Sequence, residues 1–220
     1  METLRHSYLS RSHLLTMAKF AQETVDYSIK SYELGTPEIH RLLGKHDQEW
    51  LNLNRSIADR GRTLIAAGTL AVHGSQKADS ALRIFGALHV TYRAATEIAH
   101  SAALMVEREQ RPPSPQLREL GHFVNSLVRL CTVALFKKEV RYAKGVLLDH
   151  RGRHQFKMTL CRTLYDLIRT NEAQAPLEWA IAAALEQIAE QAYEIAQALA
   201  PKILEHENHH GAACVTCFAA

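Results

Sequence analysis

Glu186, Glu190 and Glu194 recur every four residues near the end of the chain. That spacing places three carboxylates on one face of a helix. Like charges one turn apart repel. A hard cation or a basic partner would relieve that repulsion, but so would plain solvation and salt screening. The residues alone leave both readings open. A second donor set lies in the tail, where His206, His209, Cys214 and Cys217 fall within a dozen residues. Imidazole and thiolate are the preferred zinc ligands, and Cys-x-x-Cys is a common half-site. A loose chain end and a redox pair are the alternatives there. His206-Glu207-Asn208-His209-His210 is also a formal match to H-E-x-x-H. It falls at a helix end with no domain to enclose a cleft, so no protease is expected. The sequence has neither a Gly-rich phosphate loop nor G-x-S-x-G.

The acids sit inside a repeat. Thr96-Glu97-Ile98-Ala99-His100-Ser101-Ala102 matches Glu186-Gln187-Ile188-Ala189-Glu190-Gln191-Ala192, with the isoleucine and both alanines in register. Upstream, Leu117, Leu120, Phe123, Val124 and Val128 correspond to Leu14, Met17, Phe20, Ala21 and Val25, and Leu167-Ile168 to Leu64-Ile65. The chain is therefore an internal duplication.

Each copy must supply three helices. Apolar residues at helical spacing predict a first helix over Ser12–Leu34, stopped by Gly35. Thr36-Pro37-Glu38 restarts a second, with Thr36 as N-cap and Pro37 at the first helical position. It should reach about Leu70. A third is expected over Asp79–Glu109. The breaker Arg111-Pro112-Pro113-Ser114-Pro115 then divides the copies. The second copy repeats the pattern, its last helix running from Glu172 to about Glu207. The expected organisation is a first repeat over 1–110, a second over 115–207, and a His/Cys-containing tail over 208–220. Long helices on short loops pack as antiparallel neighbours. The fold class is therefore all-α, two three-helix bundles side by side. Gly44, Gly61 and Gly86 lie inside helical patterns, where each costs about 1 kcal/mol against Ala. They read either as tolerated positions or as points of close helix approach.

Composition agrees. Alanine and leucine dominate, and 10 glycines and 6 prolines are too few for an all-β fold. The net charge of +3 makes no field that calls for nucleic acid. Nine Lys/Arg crowd residues 137–169, and seven Glu follow over 172–207. Packed against each other, these segments would neutralise one another; otherwise the basic face would suit an acidic partner or membrane-surface phosphates. With no apolar span and no signal core at Met1-Glu2-Thr3-Leu4, a cytoplasmic protein is expected. Cys131 and Cys161 read as small core residues in a reducing compartment. His46-Asp47 and Asp149-His150 occupy equivalent places in the two copies and read as exposed surface.

Two three-helix repeats, each with an E-x-x-x-D-like motif on its third helix, resemble the PhoU family of phosphate-signalling regulators. The resemblance spans about Leu14 to Leu204 and is carried by Leu185-Glu186-Gln187-Ile188-Ala189-Glu190-Gln191-Ala192-Tyr193-Glu194-Ile195-Ala196 and by Ser80-Ala81-Leu82-Arg83. The chain departs from the family pattern at Thr96 and His100, where the family has Glu and Asp, and at Glu190, where it has Asp. The resemblance implies a non-enzymatic regulator that relays phosphate status between the phosphate ABC transporter and a membrane sensor histidine kinase, restraining uptake and the starvation response. It implies peripheral recruitment to the membrane and a homodimer. It also implies metal, with iron, zinc or manganese as candidates, on Glu186, Glu190 and Glu194, with His100 the most that repeat one could offer.

Overall fold

In the computed structural model, residues 11–35, 37–66, 76–108, 114–170 and 175–200 are described. They form seven helices: α1 (Arg11–Leu34), α2 (Pro37–Ala66), α3 (Gln76–Glu107), α4 (Pro115–Lys137), α5 (Val140–Leu148), α6 (His150–Thr170) and α7 (Ala175–Leu199). No strand occurs among the described residues. The all-α expectation holds, but the second helix of the second copy is two helices.

The break is made at Asp149. Its side-chain Oδ1 accepts from the Gly152 N–H at 2.8 Å and its carbonyl from the Arg153 N–H at 3.0 Å. An aspartate bonded to the third N–H of the next helix is an N-cap, satisfying a donor that the helix itself cannot. Asp149 therefore starts α6 rather than continuing α5. Its counterpart in the first copy, His46-Asp47, runs through α2 without a break. The two copies make the same turn before this region with different residues. Gly35 closes α1 at φ +60°, and Lys138, at the equivalent place after α4, adopts φ +56°.

α1, α3, α7 and α4 form a closed ring in which each touches the next, with α3 against α7 and α1 against α3 the most extensive contacts. α2 flanks this ring on α1, while α5 and α6 flank it on α4 and α7. The two repeats thus share one core. Met17, Val25, Leu88, Ile98, Leu117, Val124, Ile181, Leu185 and Ile188 are all essentially inaccessible. Alanines are frequent among the buried residues of α3 and α7 (Ala87, Ala94, Ala95, Ala102, Ala182, Ala189, Ala192, Ala196), and small side chains let helix axes approach. Arg83 reaching Glu194 and Gln197 fixes the two helices as antiparallel, since α3 residues further along lie beside earlier α7 residues.

Close approach is achieved at a glycine other than those expected. A side chain at Gly44 or Gly86 would meet open space, whereas at Gly121 it would meet Ile29 Cγ2 at 3.3 Å, where α1 crosses α4. Gly61 is outside the residues whose side-chain surroundings are described. Cys131 is buried as expected, but Cys161 is exposed on α6.

Candidate functional site

The duplicated heptapeptide explains its own pattern. Its repeated residues, Ile98, Ala99, Ala102, Ile188, Ala189 and Ala192, are all buried. Its unrepeated residues include Glu97, His100, Glu186 and Gln187, which are exposed on α3 and α7. Duplication preserved the packing face, and the copies diverged on the surface above it.

That surface is a groove of about 760 Å³ between α3 and α7. Ala94, Ala180, Ala183 and Ala184 make its floor, and Arg93, Glu97, Trp179, Glu186, Gln187 and Glu190 line its walls. Trp179 is 49% exposed, a large apolar ring left in water on the groove wall. Such a ring gains from being covered by a partner.

The acids of α7 have different partners. Glu190 is held from α6, accepting from Arg153 at 3.2 Å and Lys157 at 2.9 Å. Partial burial opposes its ionisation, but hydrogen bonding and attraction from Lys157, with Arg153, outweigh that and hold the carboxyl below its ordinary value. The Arg153 guanidinium also stacks 4.2 Å over the Tyr193 ring. Burial pushes the Tyr193 phenol up to about 12. Glu194, one turn further along the same face, pairs instead with Arg83 of α3 at 2.7 Å. Glu186 stands in the groove, and His100 is exposed on α3 away from the groove lining. Like-charge repulsion along α7 is therefore relieved by arginine and lysine from neighbouring helices.

A resident metal fits these residues poorly. Two of the three α7 carboxylates are already compensated, and no group of three His, Cys, Asp or Glu side chains is gathered among the described residues. The tail donors His206, His209, Cys214 and Cys217 lie outside the described residues.

Two arrangements were not visible in the sequence. Glu178 is 2% exposed in the first turn of α7, where Tyr32 donates to its Oε1 at 3.1 Å and the Ser114 N–H at 3.2 Å. The single signal available was an acid at a helix start, which the positive end of the helix favours. On α2, His46 is largely buried, its ring perpendicular to those of Phe20 and Tyr27 with centroids 5.5 and 5.3 Å away, and Asp47 accepts from the Tyr92 phenol. Tyr92 stacks on Trp50 with centroids 4.0 Å apart. The expectation of exposed surface holds for Asp47 and fails for His46, because α2 is seated on α1 through that turn.

Fold and site together define a duplicated helical bundle with an open groove where its two third helices meet. No family model and no curated protein sequence matches the chain. Solved structures do. The crystal structure of PhoU from Pseudomonas aeruginosa superposes with a TM-score of 0.67 at 18% identity, covering 89% of this chain and 95% of that one. The phosphate transport system regulatory protein PhoU from Streptococcus pneumoniae gives 0.64 at 18% identity, covering 86% and 90%. The fold is PhoU-like, as the resemblance in the sequence implied. No described helix is long and apolar enough to cross a membrane.

Proposed function

We propose that this chain is a PhoU-type regulator of phosphate uptake, a non-catalytic docking protein acting between the phosphate ABC transporter and a sensor histidine kinase. The observation that carries this reading is the match to PhoU structures across both repeats, over at least 86% of this chain. The α3–α7 groove supports it: an alanine floor with Trp179, Glu97, Glu186 and Arg93 above is a surface for holding a polypeptide. Docking there biases the partner toward the state that fits the groove better, and by no more than the difference in affinity between its two states. The protein works at the cytoplasmic face of the membrane, as a homodimer.

The test is a phosphate-starvation reporter in a strain lacking this gene. Loss of the gene should switch the reporter on in high phosphate, and the wild-type gene should restore silence. Trp179→Ala with Glu186→Ala should restore it only partly, with normal protein levels. A reporter indifferent to deletion would refute the regulatory role. Full restoration by the double variant would remove the groove from the mechanism.

A further inference from the structure

Pairing within the bundle consumes only part of the basic segment. Of the basic residues on α6, Arg153 and Lys157 turn to Glu190. Arg151, Arg162 and Arg169 are exposed. At 100° per residue, Arg151, Gln155, Met158, Arg162, Tyr165 and Arg169 fall within a narrow stripe. It lies opposite Phe156, Leu160 and Thr163, which are buried against the bundle. Read along the chain, the arginines have no aromatic neighbours. On the helix surface, Met158 and Tyr165 stand between them, 60% and 61% exposed. Asp166, at the stripe's edge, is the one acid of α6.

The fold does not require this stripe. The corresponding positions of α2 in the first copy carry Gln48, Asn52, Arg55, Asp59, Arg62 and Ala66. There the charges alternate in sign and no large apolar side chain occurs. The same scaffold position thus bears a mixed polar face in one copy and an arginine–apolar face in the other. The stripe runs roughly 27 Å along the outer side of a flanking helix, at 1.5 Å per residue. A flat surface reaches it without displacing α4 or α7.

We propose that the outer face of α6 docks on an anionic phospholipid surface, with Arg151, Arg162 and Arg169 at the phosphates and Met158 and Tyr165 at the headgroup boundary. Charge complementarity and the interposed apolar side chains fit this occupant. An acidic polypeptide would need a ridge of acids with apolar side chains set between them to match the stripe, whereas a bilayer surface offers phosphates and a headgroup boundary along its whole length. The inference does not depend on a role in phosphate regulation.

The test is co-sedimentation of the full chain with vesicles of phosphatidylglycerol or of phosphatidylcholine. Binding is expected to the first and not the second, and to weaken as salt is raised. R151Q/R162Q/R169Q should bind on the order of 100-fold more weakly, from roughly a fivefold loss per arginine. M158S/Y165S keeps the charge and should lose several-fold. K45Q/R55Q/R129Q removes the same net charge from other exposed positions and should bind like wild type. Absence of binding to phosphatidylglycerol, or equal loss in the two triple variants, would overturn the proposal. So would capture by polyglutamate without binding to vesicles, which would make the stripe a protein-docking face.

Discussion

The phenol of Tyr32, near the end of α1, donates to Glu178 Oε1 at the start of α7, 3.1 Å away. The Ser114 N–H, just before α4, donates to both, at 2.9 Å to the phenol and 3.2 Å to the carboxylate oxygen. One buried cluster thereby ties three of the four ring helices together at the junction between the repeats. Burial, then the charge of Glu178, raise the Tyr32 phenol far above its ordinary value.

Removing this cluster should destabilise unequally. Tyr32→Phe deletes one donor and leaves Ser114 bonded to Glu178, costing about 1 kcal/mol. Glu178→Ala strands the buried Tyr32 O–H, leaves the Ser114 N–H only its bond to the phenol, and should cost about 2–3 kcal/mol. Urea unfolding measures both. A Tyr32→Phe loss as large as that of Glu178→Ala would show that Ser114 is not sustained by the carboxylate.

Acid should unlock Glu190. Its folded pKa lies below the ordinary 4.5, so its pairing stabilises fully above that value and is lost as pH falls through the folded pKa. Because Glu190, Arg153 and Lys157 remain 39%, 40% and 47% exposed, the contribution is screened to less than about 1 kcal/mol. Glu190→Gln should therefore be slightly less stable at pH 7 and match wild type in strong acid. Denaturation curves across that range decide it, and a gap that widens on acidification would contradict the pairing.

Lys138→Gly should stabilise the chain. Lys138 holds the left-handed turn that Gly35 makes in the first copy. A side chain in that conformation costs about 1–2 kcal/mol, and glycine gives back about 0.4–1 through its freer unfolded state. The expected gain is about 0.5–1 kcal/mol, read as a higher unfolding midpoint. A loss would mean that the lysine side chain contributes more than its backbone strain.

Metal content should follow the tail. A chain ending at Ala200 keeps Glu186, Glu190 and Glu194 but lacks His206, His209, Cys214 and Cys217. With two of those carboxylates paired, elemental analysis of the truncated chain should find no stoichiometric iron, zinc or manganese. Stoichiometric metal retained there and lost with Glu186→Ala would place a site in the groove after all.

Helix periodicity made α1, α3, α4 and α7 and their buried faces readable, because a residue's spacing fixes which side of its own helix it occupies. The turn residues Gly35 and Pro115 marked ends correctly, since backbone chemistry acts within a few residues. Asp149 was less readable. An aspartate inside a helical pattern and an aspartate capping the next helix have the same neighbours in sequence, and only the packing of α5 and α6 on α4 and α7 selects between them. Cys161 was misplaced for a related reason. Helical spacing sets it about 80° from the centre of the solvent stripe, and what lies beyond that flank is decided by other helices.

By itself, then, the sequence determined an all-α duplication and the packing surface that its two copies retain. Only the tertiary structure decided what the acids of α7 do: Glu178 buried at a three-helix junction, Glu186 in the groove, Glu190 and Glu194 paired to different neighbours. The reason is physical. Amphipathicity is written along one helix, but the environment of a charge is set by groups that come from far away in the chain. Arg83 and Glu194 are 111 residues apart, Tyr32 and Glu178 146.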